Sequence, residues 1–148
     1  MAKTLAVEIV TPDRLVLGQE ADSVTMSGVA GEFTVLPLHI PFLSALAIGT
    51  VVIRRAGAAK SVFVSGGFAD VTADRVLILA EAAELPEEID AERARKARER
   101  AEARLAVQHR EDVDFTRAKA ALQRALLRLK LHGSSGKGLG GVSAGLAR

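Results

Sequence analysis

IDAERARKARERAEARL (89–105) and DVDFTRAKAALQRALLRLKL (112–131) decide how the rest of the chain is read. Nothing between Ile89 and Leu131 is Gly or Pro, the two residues least tolerated in a helix interior. On the first segment Ala94, Ala97, Ala101 and Leu105 recur at three- and four-residue steps. On the second, Ala118, Ala121, Leu122, Ala125, Leu126 and Leu129 do the same. Each set makes one helical stripe. Pro86 precedes the first helix and Asp90 suits its N-cap, while Asp112 or Asp114 suits the second. Gln108-His109-Arg110-Glu111 breaks the pattern. The expectation is two helices of roughly 16–19 residues, about 25–28 Å long, folded back as an antiparallel hairpin. Alanine buries little area per residue, so the zip between the helices is expected to be weak enough to open.

Before Pro86 the pattern changes period. LAVEIVT (5–11), RLVLGQ (14–19), ADSVTMSG (21–28), EFTVL (32–36), KSVFVSGG (60–67) and FADVTADRVLILAEAAE (68–84) are short alternating runs between turn residues. FLSALAIGTVVIRR (42–55) reads as two strands meeting at Gly49-Thr50. Closely spaced strands of this kind indicate an antiparallel sandwich or barrel. Leu5, Val7, Ile9, Val51, Ile53, Val62, Val64, Val76 and Ile78 are the expected core, with Gly66-Gly67 and Ala73-Asp74 as hairpin turns. The whole is of the α+β class, mainly β: a β domain over 1–86, a helical hairpin over 87–132 and a Gly/Ser-rich tail over 133–148 that is expected to be disordered.

Composition narrows the function. At 148 residues the chain can bury about 68–70% of its unfolded surface without staples. It has no Cys, which excludes disulfides and thiolate metal sites. It has no Trp or Tyr and five Phe, which disfavours a base-stacking nucleic-acid surface. No apolar run approaches the roughly 18 residues of a membrane span, and the N-terminal residues show no signal-type block. The net charge of +2 conceals a split. Residues 1–89 carry six Lys/Arg against eleven Asp/Glu, and residues 90–131 carry twelve against seven. A basic helical element of this sort seeks an anionic partner.

No catalytic constellation is visible. His39, His109 and His132 have no metal-ligand spacing, and Ser65-Gly66-Gly67 is followed by no helix, so it is not a nucleophile elbow. Gly136-Lys137 lacks the spacing and preceding strand of a phosphate loop. No catalytic and no metal-ligating residues are assigned. Two features remain. The Gly- and Pro-punctuated segment 29–41 presents Glu32 and His39 as a docking surface. Arg93, Arg100 and Arg104 share one side of the first helix, and Arg117, Arg124 and Arg128 one side of the second. The plain alternative is a solvated face with pairs such as Glu92–Lys96, each worth about 0.2–0.5 kcal/mol. Converging arginines would repel one another without an anion between them, and guanidinium forks suit phosphate.

GEFTVLPLHIPFLSAL (31–46), VSGGFADVTADRVLILAEAAE (64–84) and the two helical segments, in this order, resemble the epsilon subunit of F-type ATP synthases over residues 4–131. The resemblance implies a ten-stranded antiparallel β-sandwich followed by two helices. It implies a non-catalytic rotor-stalk subunit that binds the gamma subunit and the c-ring and needs no cofactor for its role. It would lie peripherally on the cytoplasmic face of the plasma membrane. Glu32 and His39 would sit in the loop facing the c-ring. The hairpin would alternate between a folded state on the sandwich and an extended state whose basic side meets the alpha/beta subunits and blocks ATP hydrolysis. The family's ATP motif, Ile/Leu-Asp-x-x-Arg-Ala, falls on Ile89, Asp90, Arg93 and Ala94, and similarity adds Glu84, Arg100, Arg124 and Arg128. ATP is thus the implied regulatory ligand. A stand-alone ATP-binding sensor is the second reading.

Overall fold

The computed structural model describes residues 3–107, 109 and 112–135. Eight strands come first: β1 Leu5–Val10, β2 Leu15–Ala21, β3 Ser23–Gly28, β4 Gly31–Val35, β5 Phe42–Arg55, β6 Ala58–Val71, β7 Arg75–Ala80 and β8 Ala83–Glu84. A 3₁₀ turn at Pro86–Glu88 leads into α1, Ala91–Val107, and then α2, Val113–Ser135. The strands form one continuous sheet in the order β2-β1-β7-β6-β5-β3-β4, with β8 added on β6, and it folds over a buried core as a β-sandwich, with β2 in contact with β5. Every pairing is antiparallel except β1 with β7, where Val7 lies beside Val76 and Ile9 beside Ile78. All nine expected core residues are buried, joined by Val24, Met26, Val35, Ala69 and Val71. Full burial of each such Val, Leu or Ile contributes about 1.5–3 kcal/mol.

Eight strands rather than ten are present among the described residues, partly because β5 and β6 each run unbroken for 14 residues. The sequence reading cut both. Gly49 makes no turn. A Cβ there would stand 2.4 Å from the Ser27 side chain, so it serves close strand packing. Gly66 and Gly67, with φ of +76° and +128°, lie inside β6 where its partner changes from β8 to β7. They shape a bend rather than a hairpin. Gly18 likewise lies within β2. The turn that closes β5 onto β6 is Ala56-Gly57, between the paired Arg55 and Ala58. Both residues have positive φ, at +50° and +82°, as a two-residue hairpin requires. Ala is a weak turn signal, so this turn was not legible. Ala73-Asp74 does lie in the connection from β6 to β7.

The Ala56-Gly57 turn is held from outside. Asp22 accepts the Ala56 N–H at 2.7 Å and the Arg55 guanidinium at 3.0 Å. The Ala56 backbone bond, then Arg55, holds the Asp22 carboxyl below its usual range. A folded pKa below the unfolded one stabilises the fold above the unfolded pKa, and the stabilisation is lost as pH falls through the folded value. The urea midpoint should therefore fall between about pH 5 and about pH 2, and Asp22→Asn should remove part of that fall. A variant with the parent's full pH dependence would show that Asp22 contributes nothing to it.

The helices pack through the expected alanines: Ala94, Ala101, Ala118 and Ala125 are all buried. Asp90 caps α1, its carboxylate accepting the Arg93 N–H at 3.0 Å. Asp112 occupies the cap position of α2, its carbonyl accepting from Phe115 and Thr116. The second helix continues past Leu131 through Gly133 to Ser135, four residues beyond its expected end. Residues 136–148, including Gly136-Lys137, lie outside the described residues. The α2 stripe is also corrected: Leu126 is 43% exposed, whereas Leu127 and Leu131, outside the expected stripe, reach the sandwich.

Candidate functional site

Alternation along β6 puts Val62 and Val64 inside the sandwich and Phe63 on its outer face. That face is covered. Phe63 is 0% exposed and packs with Ile89, Leu131, Ile48 and Leu127. Ile89 therefore anchors the start of the helical hairpin to the sheet and Leu131 anchors its end. A second apolar cluster, separate from the main core, holds the hairpin in place.

Beside this cluster the two helices and the end of the β domain enclose a cleft of about 360 Å³, within the range typical of small-molecule sites. Glu84 enters from β8, Glu88 from the 3₁₀ turn, Asp90 from the cap position before α1, and Arg93, Ala94 and Arg100 from α1; Arg124 and Arg128 enter from α2. Seven of the eight residues expected at an ATP site thus line one cleft. The eighth, Ile89, is buried at 4% exposure beneath it. Ala97 and Ala121 complete the wall, and their small side chains keep it open. Arg104 and Arg117 do not line it, and Arg117 instead lies 4.0 Å from Asp114. Glu88 was missed, because a three-residue turn leaves no periodic signal.

The charges are unevenly matched. Arg128 donates from Nε to Glu84 Oε1 at 3.1 Å, and its Nη2 lies 2.9 Å from the same oxygen as an ion pair. Its guanidinium carbon lies 4.4 Å from the Phe63 ring centroid, in cation–π contact. Glu88 accepts Arg14 Nη2 at 2.6 Å and the Leu85 N–H at 3.1 Å. Hydrogen bonding from Arg14 holds the Glu88 carboxyl below its usual range. Asp90 is occupied by the helix cap. Every carboxylate is engaged, while Arg93, Arg100 and Arg124 make no ion pair among the described residues. Three guanidinium groups at one opening attract a polyanion. The lining contains no hydroxyl, thiol or imidazole.

Glu32 and His39 are not brought together. Glu32 is in strand β4, opposite Ser27 and next to the β3–β4 turn, rather than in a loop. It lines a shallow groove with Lys130 and Ser134 of α2. His39 follows the other end of β4, with Nδ1 2.8 Å from the Ile40 carbonyl and its ring 4.9 Å from that of Phe42. Around it Leu36, Leu38, Ile40 and Leu43 are exposed, Ile40 by 78%. Leu38 has φ +70°, and its N–H is held by the Ala73 carbonyl at 2.7 Å. A second exposed apolar pair, Phe68 and Leu79, are cross-strand partners beside Pro12. Contiguous patches of this kind mark contact surfaces.

The arrangement has counterparts. Residues 4–86 match a family model described as ATP synthase, Delta/Epsilon chain, beta-sandwich domain. Residues 87–133 match the corresponding long alpha-helix domain. An ATP synthase epsilon chain of Nitratidesulfovibrio vulgaris (strain DP4) is 57% identical over 135 residues, covering 91% of this chain and 100% of its own length. That of Halalkalibacterium halodurans is 49% identical over 109 residues, covering 74% of this chain and 82% of its own. Among solved structures, a chain of the Euglena gracilis mitochondrial ATP synthase, in an OSCP/F1/c-ring assembly, superposes with a TM-score of 0.72 at 25% identity. The match covers 91% of this chain and 83% of that one.

Proposed function

Since the chain belongs to the ATP synthase delta/epsilon-chain family, we propose that its helical hairpin is an ATP-sensitive brake on the complex it joins. It is a non-catalytic subunit of the central stalk, peripheral to the membrane, and none of its described helices is long and apolar enough to cross one. The observation that carries the brake is the cleft: three arginines without ion pairs meet only when the two helices lie folded together on the sandwich. ATP bound there would neutralise their repulsion and favour the folded state, since a ligand shifts an equilibrium only by its differential affinity for the two states. Extended, the same basic faces would be free to meet acidic surfaces of the alpha and beta subunits. Phosphates would be held by Arg93, Arg100, Arg124 and Arg128.

On the sandwich, the apolar residues around Phe68 and Leu79 and those from Leu36 to Leu43 suit a large permanent partner such as the gamma subunit. Glu32, next to the β3–β4 turn, and His39, beyond the opposite end of β4, are the proposed c-ring contacts, on separate parts of the sandwich. The location is the cytoplasmic face of the plasma membrane.

Calorimetric titration of the full chain with ATP in the absence of Mg²⁺ tests the site. Arg93→Ala and Arg124→Ala should each weaken binding by about ten- to a hundredfold, the loss of a charge-assisted contact worth about 1.5–3 kcal/mol. Identical titrations for parent and variants would remove these residues from the site. The brake itself is tested in the assembled complex, where truncation before Ile89 should raise ATP hydrolysis; an unchanged rate counts against it.

A further inference from the structure

The segment joining sandwich to hairpin is short, and its geometry is set by one long-range pair. Between β8 and α1 lie only residues 85–90, shaped by the 3₁₀ turn at Pro86–Glu88. Glu88 Oε2 is its keystone, taking the Leu85 N–H from within the turn and Arg14 Nη2 from outside at 2.6 Å. Arg14 belongs to the β1–β2 turn, which is itself locked. The Thr11 N–H donates to the Arg14 carbonyl at 2.9 Å, and the Arg14 N–H donates to Thr11 Oγ1 at 3.3 Å. A post fixed in the sandwich thus grips the one segment that must re-orient if the helices leave. On the next residue Ile89 is buried against Phe63, so the linker is held by a charge on one side and an apolar anchor on the other.

We propose that Arg14, through Glu88, tethers the linker and is a positioning residue for docking of the helical hairpin. Glu88 also lines the cleft and its turn lies against α2, but Arg14 does not line the cleft. It acts on the direction in which α1 departs. An exposed ion pair is a weak contact, so its removal should shift the docked-to-undocked ratio by about two- to fivefold, not abolish docking. The magnitude suits a switch, which must be biased and not locked. The inference rests on the mobile-hairpin reading, and the test separates the two.

The chain has no Cys, so probes attached at Ala59→Cys and Glu99→Cys report the sandwich-to-hairpin distance in the full chain. Amide hydrogen exchange at Leu85 and Ile89 reports the linker itself. In Arg14→Ala and Glu88→Gln the long-distance population should rise about two- to fivefold, and both amides should exchange faster. The charge exchange Arg14→Glu with Glu88→Arg should move the distance distribution only part of the way back to the parent's, because a guanidinium at position 88 cannot accept the Leu85 N–H. Arg55→Ala, which breaks a comparably exposed pair with Asp22, should leave the linker amides unchanged. Unchanged exchange at Leu85 and Ile89 in Arg14→Ala overturns the tether, as does an equal effect from Arg55→Ala. A single docked distance in every variant, with faster linker exchange in Arg14→Ala, supports the tether and overturns the mobile hairpin.

Discussion

Phe63→Ala should detach the helices while leaving the sandwich folded. The ring lies wholly buried beneath the hairpin, against Ile89 at its start and Leu131 at its end, with Arg128 stacked above it. Truncating a buried Phe costs about 3–5 kcal/mol, and here the loss falls on the outer face of β6. Val62 and Val64, which point into the main core, are untouched. Alanine zipping between α1 and α2 adds nothing to their hold on the sheet. The expected result is faster tryptic cleavage and hydrogen exchange throughout α1 and α2, with near-parent protection in β1, β6 and β7. The Arg128–Glu84 pair would lose its apolar floor and become a solvated contact worth about 0–1 kcal/mol. Parent-like protection of α1 and α2 would show that the hairpin is held elsewhere.

Gly67→Ala should be the most damaging single-methyl substitution in the sandwich. Its φ of +128° disfavours any side chain, and a Cβ there would stand 2.0 Å from the Leu79 carbonyl oxygen, a backbone atom of the neighbouring strand. Relief would require β7 to move away from β6, across the register that pairs Gly67 with Ala80. A cost above about 3 kcal/mol is expected, combining backbone strain with the displaced strand. Gly57→Ala is the control. It too has positive φ, at +82°, but nothing lies within 4 Å, so only the conformational term of roughly 1–2 kcal/mol applies. Thermal denaturation of both should therefore show a much larger fall for Gly67→Ala. Equal falls would mean that backbone conformation alone, and not the clash with β7, requires the glycine.

The contrast between these glycines explains much of what could be read in advance. Alternation in LAVEIVT and RVLILA identifies Leu5, Val7, Ile9, Val76 and Ile78 as core, because a pleated strand has only two faces. A glycine in a strand pattern has several causes, and sequence does not separate them: Gly49 avoids Ser27, Gly67 avoids Leu79 and Gly57 turns a hairpin. The first two causes are neighbours distant in sequence, and the third is a local backbone conformation. The same limit applied to Phe63. Alternation set it opposite Val62 and Val64 but could not say that a helix covers it.

The arginines divide in the same way. Helical spacing of Arg93 with Arg100, and of Arg124 with Arg128, is local, and the sequence by itself determined that they would share faces of two antiparallel helices. It also determined the acidic–basic division of the chain, the Asp90 cap and the buried alanines, because each depends on residues within a turn or two of one another. Only the tertiary structure decided which charges remain without ion pairs. Arg128 is neutralised by Glu84, 44 residues away, and Glu88 by Arg14, 74 residues away, which leaves Arg93, Arg100 and Arg124 around the cleft. Helical period orients a side chain, but the partner it meets depends on how sandwich and hairpin dock, and that is set by apolar contacts such as Phe63 with Ile89 and Leu131 that no local pattern encodes.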